Sequence, residues 1–115
     1  MYSVTESFVT WLADAGYSAS TQPPRSGAPF VTVERTGGTV ADLVDHPQMA
    51  IQCWAETEPE AEAMANAIRL ALVTGDRPRG VHHVAVDAGP YPFWDESTRM
   101  PRYQIALDCT AQLTE

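Results

Sequence analysis

The sequence predicts an α+β fold, one domain over residues 1–115, with two helices packed on one face of a mainly antiparallel four-stranded sheet in the order α-β-β-α-β-β. Three observations carry this. Two segments space apolar residues helically behind capping signals, and four others alternate β-branched or aromatic residues with polar ones. A chain of 115 residues with 44% hydrophobic content also has enough material for one buried core.

The first helix is predicted from Ser3 to Ala15. Ser3 and Glu6 form a capping box that satisfies backbone donors left open at a helix start, and Val4, Phe8, Trp11 and Leu12 then share one face. Gly16 follows as the stop. From Ser18 to Ala28 the pair Pro23-Pro24 and several small residues favour an extended connector. Phe30-Val31-Thr32-Val33-Glu34 reads as the first strand, running from Pro29 to Arg35 and ended by Gly37-Gly38.

A loop from Gly37 to Pro47, with a single turn around Val40 to Val44, leads to a second strand from Gln48 to Glu56. There Met49, Ile51, Cys53 and Ala55 oppose Ala50, Gln52 and Trp54, and the two strands pair antiparallel. Thr57-Glu58-Pro59-Glu60 combines a capping pair, acidic charge at the positive end of a helix and a proline in its first turn. The second helix follows, with Ala61, Met64, Ala65, Ile68 and Leu72 on its apolar stripe and Gly75 as its end. Alanines on that stripe imply close approach to the sheet.

After a charged turn from Asp76 to Arg79, Val81 to Val86 is the third strand, and Asp87 to Pro101 a loop rich in proline and aromatics. The last strand, Arg102 to Ala111, alternates most regularly, with Tyr103, Ile105, Leu107 and Cys109 against Arg102, Gln104, Ala106 and Asp108. The sheet face away from the helices is polar and faces water or another subunit.

A net charge of −8 argues against specific nucleic-acid binding or an anionic membrane surface, because both rest on clustered cations. No run of about 18 apolar residues and no signal-peptide core appears, so neither export by that route nor a membrane span is expected. Every cationic side chain is an arginine. Codon bias explains that, and so does a preference for guanidinium groups at interfaces, where they pair bidentately with carboxylates. Cys53 and Cys109 lack CxxC spacing and read as reduced core residues.

Nothing in the sequence assembles a catalytic signature. His82 and His83, adjacent on a strand, leave by opposite faces, and His46 is able to join only one of them, so one surface and one partly buried histidine are expected rather than a metal site. The glutamates 56, 58, 60 and 62 serve a helix start. No cofactor is expected. Tyr91, Phe93 and Trp94, stiffened by Pro90 and Pro92, leave two uses open: a lid folded over the core, or anchors of a buried contact.

The segments Phe30-Val31-Thr32-Val33-Glu34-Arg35-Thr36-Gly37-Gly38, Asp45-His46-Pro47, Ile51-Gln52-Cys53-Trp54-Ala55 and Glu60-Ala61-Glu62-Ala63-Met64-Ala65 come in a telling order. They are followed by Gly89-Pro90-Tyr91-Pro92-Phe93-Trp94-Asp95 and Pro101-Arg102-Tyr103. In that order they resemble the tail terminator (tail completion) proteins of long-tailed bacteriophages and prophages, particularly those of actinobacterial phages. The likeness covers most of the chain from Pro29 onward. It implies a non-enzymatic virion protein of the tail and neck, assembled in the host cytoplasm. Such a protein forms a hexameric ring on the last ring of the tail tube, ends polymerisation and offers a surface to the head connector.

The expected partners are therefore further copies of the chain, the tube protein and the connector or stopper. Candidate interface residues are the arginines Arg35, Arg77, Arg79, Arg99 and Arg102, together with Tyr91, Phe93, Trp94 and Asp95 of the aromatic loop. Two other readings stay open: another neck protein such as a head-closure or connector subunit, and a small dimeric α+β enzyme or ligand-binding module with a pocket near His82, His83 and the aromatic loop.

Overall fold

Strand length sets the shape of the molecule. In the computed structural model, which describes residues 1–23, 27–93, 97 and 99–114, the longest strands have 12 residues. At about 3.3 Å per residue such a strand reaches about 40 Å, in line with the extents of 42 × 26 × 25 Å. The elements are α1 (Val4–Asp14), β1 (Ala19–Ser20), β2 (Phe30–Ala41), β3 (Val44–Trp54), α2 (Glu58–Val73), β4 (Val81–Pro92) and β5 (Arg102–Gln112).

The α+β class holds, but among the described residues the sheet has five strands in the order β1-β2-β3-β5-β4 rather than four. The added strand is β1, a two-residue piece inside the expected connector that pairs parallel with β2 through Ala19 opposite Val31. All other pairs are antiparallel. The sheet is therefore mixed.

Both helices form where the capping chemistry places them. The Ser3 hydroxyl accepts the Glu6 amide proton at 3.2 Å and the Thr57 hydroxyl accepts that of Glu60 at 3.4 Å. Gly16 and Gly75, with φ of +101° and +108°, take the left-handed conformation that stops each helix. Phe8 and Leu12 of α1 and Ile68 and Leu72 of α2 enter one core with Val31, Val33, Met49, Ile51, Ile105 and Leu107. Both helices thus cover the same face of the sheet.

Two expected loops are strand. The hairpin of β2 and β3 continues through Gly37-Gly38, because one extra residue at Thr36 forms a bulge that shifts register and lets the ladder resume. Gly38 is required there: at φ +104°, a Cβ would lie 2.1 Å from the His46 carbonyl oxygen. The hairpin closes on two residues, Asp42 and Leu43, with φ of 54° and 64°, the signs of a type I′ turn. Likewise β4 runs on past Val86 to Pro92, where it accommodates two of its three register shifts against β5.

Candidate functional site

The helix-free face of the sheet is where strand alternation and register gather the most polar side chains. Alternation sends Thr32, Glu34, Gln52, Trp54, Arg102 and Gln104 to this face, and Tyr91 stands opposite Gln104 across the β4–β5 ladder. The groups then form one relay across four strands. The Trp54 indole donates to the Thr32 hydroxyl at 3.0 Å, which donates to Gln52 Oε1 at 2.8 Å. Gln52 Nε2 donates to Glu34 at 3.0 Å and to Gln104 Oε1 at 2.9 Å, and Gln104 Nε2 reaches the Tyr91 hydroxyl at 2.6 Å.

This face is less wet than its composition implies. Thr32, Ala50, Gln52 and Trp54 are all buried, shielded by neighbours on their own surface. Among the described residues no buried side-chain nitrogen or oxygen lacks a hydrogen-bond partner, so the desolvation cost of these polar groups is met internally.

At one end of the face the aromatic segment joins the relay. Phe93 continues the ladder, its amide donating to the Arg102 carbonyl at 2.8 Å, while Arg102 Nε donates back to the Phe93 carbonyl at 2.8 Å. The Arg102 guanidinium lies between two rings, 4.6 Å from the Trp54 centroid and 4.4 Å from that of Phe93. Phe30 stacks on Trp54 at 5.3 Å, and Tyr91 meets Phe93 edge-on at 6.3 Å. Each cation–π contact contributes about 0.5–2 kcal/mol. Beside it Thr21, Pro23, Glu34 and Arg102 border a shallow depression of about 170 Å³.

The candidate interface residues fall in separate places. Tyr91, Phe93 and Arg102 are brought together here. Arg35 is instead committed to a bidentate ion pair with Asp45, both oxygens 2.7 Å from guanidinium nitrogens. Arg77 donates to the Leu72 carbonyl at 2.9 Å, closing the end of α2. Arg79 packs 5.3 Å from the Tyr2 ring centroid, and its carbonyl accepts from Tyr2 and Ser7. Arg99 is an exposed residue with φ of +57°. Trp94 and Asp95 lie outside the described residues.

A second surface was not expected from the sequence. At the opposite end of the sheet Val40 and Leu43 are 55% and 84% exposed, and Leu113 stands out beside them. Leu43, Val44, Leu113 and His82 border an open depression of about 410 Å³. Both His82 and His83 are exposed, in place of the partly buried one expected, because the bulge between Val81 and His83 turns this stretch outward at the sheet edge. Among the described residues no group of three or more His, Cys, Asp or Glu is placed to hold a metal ion, and no helix is long and apolar enough to cross a membrane.

Burial dominates the chemistry of the remaining reactive groups. Cys53 and Cys109 are free thiols, pushed up to about 12 by burial. Tyr103 is raised by burial and then by the neighbouring carboxylates Glu62 and Glu58, the latter accepting its hydroxyl proton at 3.2 Å. Amides, hydroxyls and rings make up the relay, with Glu34 as its carboxylate. Such groups hold a surface in shape.

No protein-family model and no curated protein sequence matches the chain.

Proposed function

We propose that the protein is a structural subunit of a phage virion, a non-enzymatic tail terminator. It caps the tail tube as a hexameric ring, ends its polymerisation and forms the surface that the head connector or stopper joins. The observation that carries this reading is the pair of unlike surfaces at the two ends of the sheet. Val40, Leu43 and Leu113 lie uncovered at one end, and the Arg102–aromatic cluster with a 42% exposed Phe93 lies at the other. A ring requires one patch of a subunit to meet a different patch of the next, and two dissimilar ends meet that requirement. The order of motifs from Pro29 to Tyr103 supports the same family.

In this reading the helix-free face, with Gln104, Ala106 and Asp108 of β5, lines the lumen. Its hydrogen bonds are spent internally and its charge is acidic, so DNA passes without being held. Negative-stain imaging of the purified protein, alone and mixed with tail tubes, tests the proposal. Rings on tube ends are expected. A particle that stays monomeric and fails to bind tubes overturns it, and rings that bind the connector but never tubes reassign it to another neck position.

A further inference from the structure

Helix α2 has two uncharged stripes, and only one is buried. The first, Ala61, Ala65, Ile68 and Leu72, is buried against the sheet. On the other side Pro59, Ala63, Asn66, Leu70 and Val73 follow at spacings of four and three, and all are exposed, Leu70 by 59% and Val73 by 52%. A solvated helix face ordinarily carries charge. Here, beyond Glu58 and Glu60 of the first turn, the charges stand on the flank: Glu62 and Arg69, two turns apart on the same side of the stripe.

We infer that this outer stripe pairs with the same stripe of a second copy, the two α2 helices antiparallel about a twofold axis at Asn66. Charge pattern selects the partner and the direction. The positions three and four residues from Arg69 are Ala65, Asn66, Leu72 and Val73, so no acid on its own helix faces it. Antiparallel pairing at this register places Arg69 of each copy beside Glu62 of the other, satisfying both pairs at once. It also sets Ala63 opposite Leu70, small against large, sets Pro59 opposite Val73 and puts Asn66 opposite itself, where a lone amide fixes register.

A parallel pair would instead align Glu58, Glu60 and Glu62 of both copies, a repulsive arrangement. Helical periodicity puts Glu62, an exposed residue four positions before Asn66, on the required flank. A single contact between helices of 16 residues falls below the about 1,200 Å² of a stable interface, so the dimer is of the weak, transient kind and calls for a wide concentration range. The contact does not depend on the proposed ring, whose subunits meet through the ends of the sheet.

Sedimentation equilibrium of the full chain from about 1 to 300 μM reads the association directly. Wild-type protein is expected to pass from monomer to dimer. Arg69→Glu is expected to weaken the dimer at least about tenfold, and adding Glu62→Arg to restore it to within about threefold. In a parallel experiment Asn66→Cys, under mild oxidation, should crosslink to itself, while Glu60→Cys, away from the stripe, should not. Circular dichroism confirms that each variant is folded. A wild-type monomer at every concentration, a dimer indifferent to Arg69→Glu, or failure of the swapped pair to restore association overturns the inference. So does association in which Asn66→Cys never crosslinks, which would assign the stripe to the hairpin end of a neighbour or to another protein.

Discussion

Removing the Arg35 guanidinium would leave Asp45 as a carboxylate only 8% exposed with its bidentate partner gone. The charge would then be buried without compensation, which costs more than an exposed pair is worth. Arg35→Ala is expected to lower unfolding stability by about 1–3 kcal/mol in urea titrations, and Arg35→Lys to recover only part, because an ammonium does not fit both oxygens. An unchanged midpoint in Arg35→Ala would show that Asp45 finds water instead. The thiols give a second residue-scale prediction. With Cys53 and Cys109 pushed up from an ordinary 9.0 to about 12, both are neutral and shielded at pH 8, so a thiol reagent should label them only on unfolding. A raised thiol value contributes stability that is whole below pH 9 and is lost as pH climbs from 9 toward 12. Melting temperature should therefore fall across that window, and less steeply in a Cys53→Ala, Cys109→Ala variant.

Among the elements, the two helices and β5 were legible because their signals are local. Ser3, Thr57, Gly16 and Gly75 mark the helix ends through contacts within a few residues, and β5 alternates without a break. The β2–β3 hairpin was not, since Gly37-Gly38 reads as a stop until the Thr36 bulge is seen, and the Asp42-Leu43 turn has neither Gly nor Asn to betray its positive φ values. The second half of β4 was hidden in the same way by Gly89-Pro90. Register is also why the relay escaped notice: Gln52 and Gln104 are 52 residues apart, and only the β3–β5 ladder makes them neighbours. The hairpin end provides the prediction at this scale. Leu43→Asp, at a turn side chain 84% exposed, should change stability by no more than about 0.5 kcal/mol and, if the proposed ring forms, abolish it together with tube binding in pelleting assays. Rings that survive the substitution would place the subunit contact elsewhere.

At the scale of the whole molecule, one core includes side chains from both helices and from β2, β3, β4 and β5. Such a core should melt as a unit. Ellipticity and tryptophan emission are expected to trace one coincident transition, and Ile68→Ala to shift both together by about 2–5 kcal/mol. Separated curves would mean that α1 or the hairpin end comes away first. Trp54 has a consequence of its own. Its indole is 2% exposed, stacked on Phe30, covered by Arg102 and hydrogen-bonded to Thr32. An indole in that setting emits at short wavelength and is sheltered from dissolved quenchers. A partner that settles on the Arg102 end of the helix-free face presses on Arg102 or displaces it, altering that emission, so the protein carries an intrinsic optical probe of docking at that end.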